Sequence, residues 1–187
     1  MLQIAKELLG KILVSAIDGK VCTGRIVETE GYIGITDKAS HSFGGKRTAR
    51  NEHMYGVAGI SYVYICYGMH HLFNVVTNDE NIPDAVLIRA VEPIAGIEQM
   101  LARTGKKTVD FTLTKGPGNV AKAFGITKGH SGVNLLKNEI YLADDGFVIS
   151  ENEIGSSKRI GCESAGADGL LPYRFYIKGH PNLSGSK

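Results

Sequence analysis

The alternation of hydrophobic and polar positions divides the first third of the chain into three short elements. Apolar residues at helical spacing predict a helix over 2–9. Two segments of strand character, 12–17 and 21–32, flank the pair Asp18-Gly19. They predict a β-hairpin, because Asp-Gly readily adopts the positive φ angles of a tight turn.

Residues 33–59 show no periodicity and predict a long loop, and loops of this length inside a compact domain are usually functional. Strands and short helices follow in the rest of the chain. The predicted elements are a strand with a turn at 60–68, a buried central strand at 85–93, helices at 95–103 and 117–124, a second hairpin around Asp145-Gly146 at 140–150, and a closing strand at 173–179. No internal repeat is visible. The pattern predicts a single α+β domain over 1–187, with a mixed, mainly antiparallel curved sheet and flanking helices.

Composition narrows the class of protein. With 43% hydrophobic and 21% charged residues in 187, the chain can bury a core and does not resemble a disordered protein. No apolar run is long enough to span a bilayer. Its three cysteines are widely spaced and predict no disulfide framework. We therefore expect a soluble cytoplasmic protein with no membrane partner.

Charge is unevenly distributed although the formal net charge is only +2. Basic residues dominate 101–130 and the loop 41–51, whereas 139–153 holds acids and no base. The usual interpretation of such charge runs is two solvated faces. The alternative is a surface that faces phosphates, with the acidic segment pointing away from it.

One arginine stands inside an apolar run, at Arg89 in AVLIRAVEP. A buried guanidinium requires a carboxylate partner, and Glu28 and Glu30 share one face of the preceding strand. A glutamate paired with arginine stays ionised and suits a general base that acts on water. The alternatives are a strand end where Arg89 reaches solvent, and an edge strand with two solvated glutamates.

Tyrosines are concentrated near the middle of the chain. Tyr62 and Tyr64 share a strand face, and Tyr67 follows at a turn. Such residues can form core or a cross-strand ladder. They can also stack on an extruded base, and a tyrosine at a turn tip can wedge between base pairs.

Two other patterns are too weak to assign a cofactor. Residues 116–121 fit a loose dinucleotide-binding fingerprint, but no βαβ pattern surrounds them. Cys66, His70 and His71 have no further ligands that would complete a zinc site. We therefore expect no metal and no cofactor.

Six segments taken together resemble one known family. They are RIVETEGYIG, HSFGGKRTARN, YVYICYGMHHLFNV, VLIRAVEP, LTKGPGNVAKAFGI and RIGCESAGADGLLPYRFYIKG. In this order they resemble the alkyladenine (3-methyladenine) DNA glycosylase family, from about Ile4 to Gly179. The resemblance implies a hydrolase that flips alkylated or deaminated purines, such as 3-methyladenine, hypoxanthine and ethenoadenine, out of duplex DNA and cleaves the N-glycosidic bond.

The resemblance also implies roles for individual residues. The catalytic group would comprise Glu30 as general base, Arg89 holding the water and the carboxylate, and the backbone carbonyl of Ile160. Residues expected to contact the extruded base are Tyr32, His41, Tyr64, Asn74 as a gate against the amine of guanine, and Leu87. Residues expected to enter the duplex are Tyr67 and Met54. Residues of the basic loop expected to contact phosphates are Lys46, Arg47 and Arg50.

We expect double-stranded DNA with damaged purines as the partner, a monomer, and no strand-cleaving lyase step, because no lysine stands in the Glu30 motif. Two alternatives belong to other classes. One is a non-catalytic nucleic-acid-binding module, in which the Glu30–Arg89 pair is structural. The other is a small-molecule transferase built on residues 116–121, which mononucleotides would stabilise in the absence of DNA.

Overall fold

A computed structural model describes residues 1–185 of the chain. Its α-helices are α1 (Leu2–Glu7), α2 (Ile97–Thr104) and α3 (Pro117–Phe124). Its strands are β1 (Ile12–Ile17), β2 (Lys20–Tyr32), β3 (Ser61–Cys66), β4 (His70–Val76), β5 (Ala85–Ala95), β6 (Ile140–Ala143), β7 (Ile154–Ser157) and β8 (Arg174–Ile177). Short 3₁₀ helices lie at Phe43–Gly45, Glu52–Tyr55, Lys128–His130, Glu151–Glu153 and Glu163–Leu170.

The strands form one antiparallel sheet in the order β3-β4-β5-β2-β1-β6, which confirms the predicted α+β class. The long strand β2 branches this sheet. It pairs with β5 over 23–32, and its other edge pairs with β1 over 20–25 and with β8 over 28–30. Register shifts on either side of Glu28 mark a β-bulge, which bends a strand and increases its twist. The centre of the sheet therefore curls where Glu28 and Glu30 lie.

The hydrophobic core fills the space between this sheet and the helices. Side chains from the sheet and from α2 and α3 meet there, among them Phe73, Ile88, Met100, Val120 and Phe124. Helix α2 begins after Gly96, where a Cβ atom would lie 2.2 Å from the carbonyl oxygen of Val21. Only glycine permits this approach of the helix to β2, since its φ is also +76°.

The predicted hairpin of 12–32 is confirmed, but the second hairpin at 140–150 is wrong. Strand β6 ends at Ala143, and the chain then leaves the sheet. Asp144 pairs with Lys11 at 2.6 Å and Asp145 with Arg25 at 2.7 Å. These ion pairs attach the segment to the first hairpin instead of folding it back on β6.

Strands β4 and β7 were not predicted: β7 has only four residues, and the pattern predicted a turn after β3 but no strand beyond it. Strand β4 forms a hairpin with β3 and also pairs with β5, so it connects the tyrosine-rich edge strand β3 to the centre of the sheet. Within residues 1–185, no helix combines the length and the apolar character needed to cross a membrane.

Candidate active site

A buried arginine and two buried carboxylates form the centre of the site. Glu28 and Glu30 are both fully buried, and Arg89 on β5 is 6% exposed. The guanidinium of Arg89 donates through Nε to Glu28 Oε1 at 3.1 Å and through Nη1 to Glu30 Oε2 at 3.1 Å. The predicted pairing of Arg89 with strand β2 is thus present, and the solvated alternatives for all three residues are excluded.

Three donors fix the carboxylate of Glu30. Oε1 accepts the backbone N–H of Ile160 at 2.8 Å, and Oε2 accepts the hydroxyl of Tyr32 at 2.8 Å as well as Arg89. Burial raises the pKa of Glu30, an effect opposed chiefly by the charge of Arg89. The result is an oriented carboxylate that holds a proton more strongly than an exposed glutamate does. The contact made by the Ile160 amide was not predicted, since the family resemblance implied a role only for its carbonyl.

Aromatic side chains enclose a small cavity beside this carboxylate. Nδ1 of His41 and the hydroxyl of Tyr62 are 2.8 Å apart. The ring of Tyr64 lies edge-on to His41 at 4.5 Å and stacks on Tyr62 at 5.5 Å. The cavity has a volume of about 20 Å³ and is lined by Tyr32, Ala39, Ser40, His41, Met54, Tyr62, Tyr64, Asn74 and Ala85. This volume admits roughly one water molecule, so the pocket is too small for a purine in this conformation.

His41 is uncharged at neutral pH. Burial lowers its pKa to about 4, and the nearby charges of Arg50 and Lys46 act in the same direction. The backbone at His41 is held by the buried amide of Asn51, which donates to the carbonyls of His41 and Lys46 at 3.1 and 2.8 Å. Sequence reasoning missed Asn51, because nothing in an aperiodic loop distinguishes a buried amide from an exposed one.

Two of the residues expected to contact the extruded nucleobase, Asn74 and Leu87, lie where β4 pairs with β5. Asn74 is 3% exposed, and its Nδ2 donates to the carbonyls of Tyr62 and Leu72 at 3.0 and 3.3 Å. Leu87 is the strand partner of both Asn74 and Glu30. It is buried between them and does not line the cavity.

The expectation that Met54 enters the DNA needs correction. Met54 is only 2% exposed, packs with Tyr55, Tyr62 and Val76, and lines the cavity. An intercalating side chain must reach beyond the protein surface, which Met54 does not do. Its apolar neighbours in the cluster hold it inside.

Tyr67 lies at the tip of the β3–β4 hairpin and is 89% exposed. The amide of Met69 donates to the carbonyl of Cys66 at 3.2 Å, and the two intervening residues, Tyr67 and Gly68, have φ angles of +50° and +70°. This is the geometry of a type I′ turn, in which a tyrosine is unusual and mildly strained. Met69 beside it is 71% exposed. The turn therefore presents an apolar tip to solvent.

The three basic residues expected at phosphates differ in their partners. Arg47 pairs with Glu52 at 2.6 Å and donates to Asn81 at 2.9 Å. Arg50 lies over the ring of Tyr64 at 5.5 Å, and within residues 1–185 it has no carboxylate partner. Lys46 is exposed. Arg50 and Lys46 are thus more available to an anion than Arg47 is.

A second buried ion pair supports Tyr32 and was also missed. The guanidinium of Arg159 donates to both carboxylate oxygens of Asp37, at 2.9 Å through Nη2, and to the carbonyl of Gly31 at 3.0 Å. It lies 4.8 Å from the ring centre of Tyr32 and 5.3 Å from that of Tyr173. In the part of the chain that is described, no group of three His, Cys, Asp or Glu side chains could hold a metal ion.

A family model and several curated relatives that resemble this chain carry the same description, that of a DNA glycosylase. A family model described as Methylpurine-DNA glycosylase (MPG) matches residues 1–181. A Clostridium perfringens protein named "Putative 3-methyladenine DNA glycosylase" is 43% identical over 189 residues, covering 97% of this chain and 92% of the relative. Relatives with the same name from Desulfitobacterium hafniense and Bacillus cereus are 46% and 44% identical, over 94% and 98% of this chain and 89% and 93% of their own.

Proposed function

This chain belongs to the methylpurine-DNA glycosylase family and is a DNA glycosylase of the DNA-repair class, and from that premise we propose a specific reaction for it. The protein removes alkylated and deaminated purines, namely 3-methyladenine, hypoxanthine and ethenoadenine, from duplex DNA. It does so by hydrolysis of the N-glycosidic bond, with water activated by Glu30.

The observation that carries this proposal is the environment of Glu30. A fully buried carboxylate, held by Arg89, the Ile160 amide and Tyr32, lies beside an aromatic pocket. Such a group can accept a proton from water as the water attacks C1′ of the sugar. Its negative charge also stabilises the oxocarbenium character that develops there, as carboxylates do in glycoside hydrolysis.

The base reaches Glu30 only after it leaves the helix. Flipping a nucleotide out of the stack costs a few kcal/mol, and least for a damaged or poorly paired base. Tyr67, exposed at the hairpin tip, would fill the gap that the base leaves in the duplex. Arg50 and Lys46 would contact phosphates without reading sequence.

The aromatic residues would then stack on the base. Tyr32, His41 and Tyr64 offer ring surfaces, and a cationic alkylated purine gains roughly 1–2 kcal/mol from a desolvated cation–π contact. Because His41 is uncharged at neutral pH, it does not repel such a base. The cavity must expand to admit the purine, since its present volume is about 20 Å³.

Asn74 supplies a means of rejecting guanine. Both hydrogen bonds of its amide nitrogen go to backbone carbonyls, so its orientation in the pocket is fixed. A rigid amide at this position would collide with the exocyclic amine of guanine, which adenine-derived bases lack.

We further propose that the protein acts as a monomer in the cytoplasm, on the nucleoid, and has no lyase step. A lyase reaction requires an amine that attacks C1′, and none of the side chains within hydrogen-bond distance of Glu30 in residues 1–185 is a lysine. The product would be a free base and an abasic site in an intact strand.

A single-turnover assay in EDTA tests the proposal directly. The substrates are duplexes with one hypoxanthine or one ethenoadenine, together with randomly methylated DNA. Release of free base, with strands that break only after alkali, is the expected result. Tight binding without release would instead support the non-catalytic binding module, and breaks without alkali would contradict the absence of a lyase step.

A further inference from the structure

Ser184 makes five hydrogen bonds to a charged network that consists of Glu28, Arg89 and Arg174. Its Oγ donates to Glu28 Oε1 at 2.8 Å and accepts from Nε and Nη2 of Arg89 at 3.2 and 3.0 Å. Its backbone N–H donates to Glu28 Oε2 at 2.6 Å, and its carbonyl accepts Nη2 of Arg174 at 2.7 Å. Ser184 is 7% exposed, so these bonds form away from competing water.

Ser184 determines how Arg89 is oriented. Nη1 of Arg89 points to Glu30, Nε is shared by Glu28 and Ser184, and Nη2 has no acceptor within residues 1–185 other than Ser184 Oγ. A guanidinium is planar and rigid, so fixing Nε and Nη2 also fixes the direction of Nη1. Without Ser184, Arg89 could rotate about its last bonds while it keeps its ion pair with Glu28.

The neighbours of Ser184 hold the same segment in place through two further contacts. Asn182 is 4% exposed and donates to the carbonyl of Phe111 at 3.4 Å. Gly185, with a φ of +90°, packs so closely on Ile160 that an added Cβ atom would lie 2.6 Å from Ile160 Cδ1. The segment 182–185 therefore touches both Arg89 and the residue whose amide binds Glu30.

We propose that Ser184 is a positioning residue, which holds Arg89 so that its Nη1 stays directed at Glu30 and at the water that Glu30 activates. This inference rests on the proposed function and extends it to a segment outside the motifs that suggested it. Ser184 itself touches neither the base nor the reacting atoms. It acts through Arg89 and Glu28.

The test compares Ser184→Ala with Ser184→Thr, which keeps the hydroxyl, and with a matched control, Ser15→Ala. Ser15 is fully buried, and its Oγ donates to the carbonyl of Phe124 at 2.8 Å, outside the charged network. Each protein is measured for its folded fraction, for affinity to a hypoxanthine duplex, and for the single-turnover rate of base release from acidic to alkaline pH.

We expect Ser184→Ala to slow base release by about tenfold or more at saturating enzyme, because small misplacements of catalytic groups have effects of this size. Affinity for the duplex should stay unchanged. The acid limb of the pH profile should move to higher pH, because Arg89 lowers the pKa of Glu30 and a mobile Arg89 lowers it less. Ser184→Thr should restore both rate and profile, and Ser15→Ala should lose stability only.

Two results would overturn the inference. One is a folded Ser184→Ala protein that has the wild-type rate and pH profile. The other is a Ser184→Ala protein whose rate of base release falls no more than that of Ser15→Ala and whose pH profile keeps its acid limb at the wild-type pH. If Ser184→Ala does not fold, Ser184→Cys replaces it, since a thiol is a weak donor and acceptor and should give the same shift to a smaller degree. Failure of the wild type to release any base would refute the proposed function itself and is thus recognised separately.

Discussion

Glu30→Gln is the substitution that most directly examines the chemistry. Glutamine has nearly the shape of glutamate but cannot accept a proton from water at neutral pH. A general base contributes about 10²–10⁴-fold to a rate, equivalent to roughly 3–5 kcal/mol in the activation barrier. We therefore expect base release to fall by at least a hundredfold while affinity for lesion-containing DNA is retained.

The contacts of Glu30 also determine how much Glu30→Gln lowers the free energy of unfolding. All three groups that contact the carboxylate, the Ile160 amide, the Tyr32 hydroxyl and Arg89 Nη1, act as donors. The NH₂ group of a glutamine must face at least one donor that cannot accept in return, whichever way the amide is turned. One unsatisfied buried contact costs about 1–3 kcal/mol, which most domains of this size tolerate.

The assay is single-turnover release of hypoxanthine, with the folded fraction measured in parallel by circular dichroism. Glu98→Gln, which changes an exposed glutamate on α2, serves as the control for loss of one negative charge. A folded Glu30→Gln protein that releases base within a few-fold of the wild-type rate would refute the assignment of Glu30 as the base.

Three further predictions concern binding and stability. Tyr67→Ala should leave the melting temperature nearly unchanged, because the side chain is 89% exposed. Its affinity for a lesion duplex, measured by fluorescence anisotropy, should fall about tenfold, consistent with a loss of roughly 1–3 kcal/mol of stacking. Unchanged affinity would contradict the role of Tyr67 as a wedge between base pairs. Asp37→Asn leaves Arg159 buried without its carboxylate and should lower the free energy of unfolding in urea by about 3–5 kcal/mol, and a loss below 1 kcal/mol would show that the pair is not needed. As pH falls from 6.5 towards 4, His41 becomes protonated in the unfolded chain but stays largely neutral in the folded chain, because its folded pKa is about 4. The free energy of unfolding of the wild type should therefore fall by at most about 3 kcal/mol more than that of His41→Gln. Equal losses would contradict a lowered pKa for His41.

The contact of Arg89 with the glutamates of β2 could be anticipated from the sequence because its signals are local. Arg89 stands inside an apolar run that must be buried, and the period of a strand places Glu28 and Glu30 on one face. A buried guanidinium needs a carboxylate, so these constraints made the pairing one of the candidates, and the structure decides for it against a solvated strand end or edge strand. The family resemblance then selects Glu30 for catalysis and leaves Glu28 a structural role.

Other features depend on parts of the chain that meet only after folding. Nothing near Ser184 in the sequence indicates that it returns to Arg89. The burial of Met54 depends on how an aperiodic loop packs against β3 and β4. Asp145-Gly146 is a turn signal in the sequence, but the segment does not pair with β6 and instead makes ion pairs with Lys11 and Arg25.

The small volume of the cavity beside Glu30 has a consequence for how the protein behaves among the metabolites of a cell. Free adenine, guanine and their nucleosides can stack on tyrosine as well as a flipped base can, yet none of them fits in about 20 Å³. In the proposed function, contacts of a DNA strand with the basic loop and the hairpin tip supply the free energy that opens the pocket. We therefore expect millimolar free purines to inhibit base release very little, so that the enzyme continues to survey DNA whatever the size of the nucleotide pool.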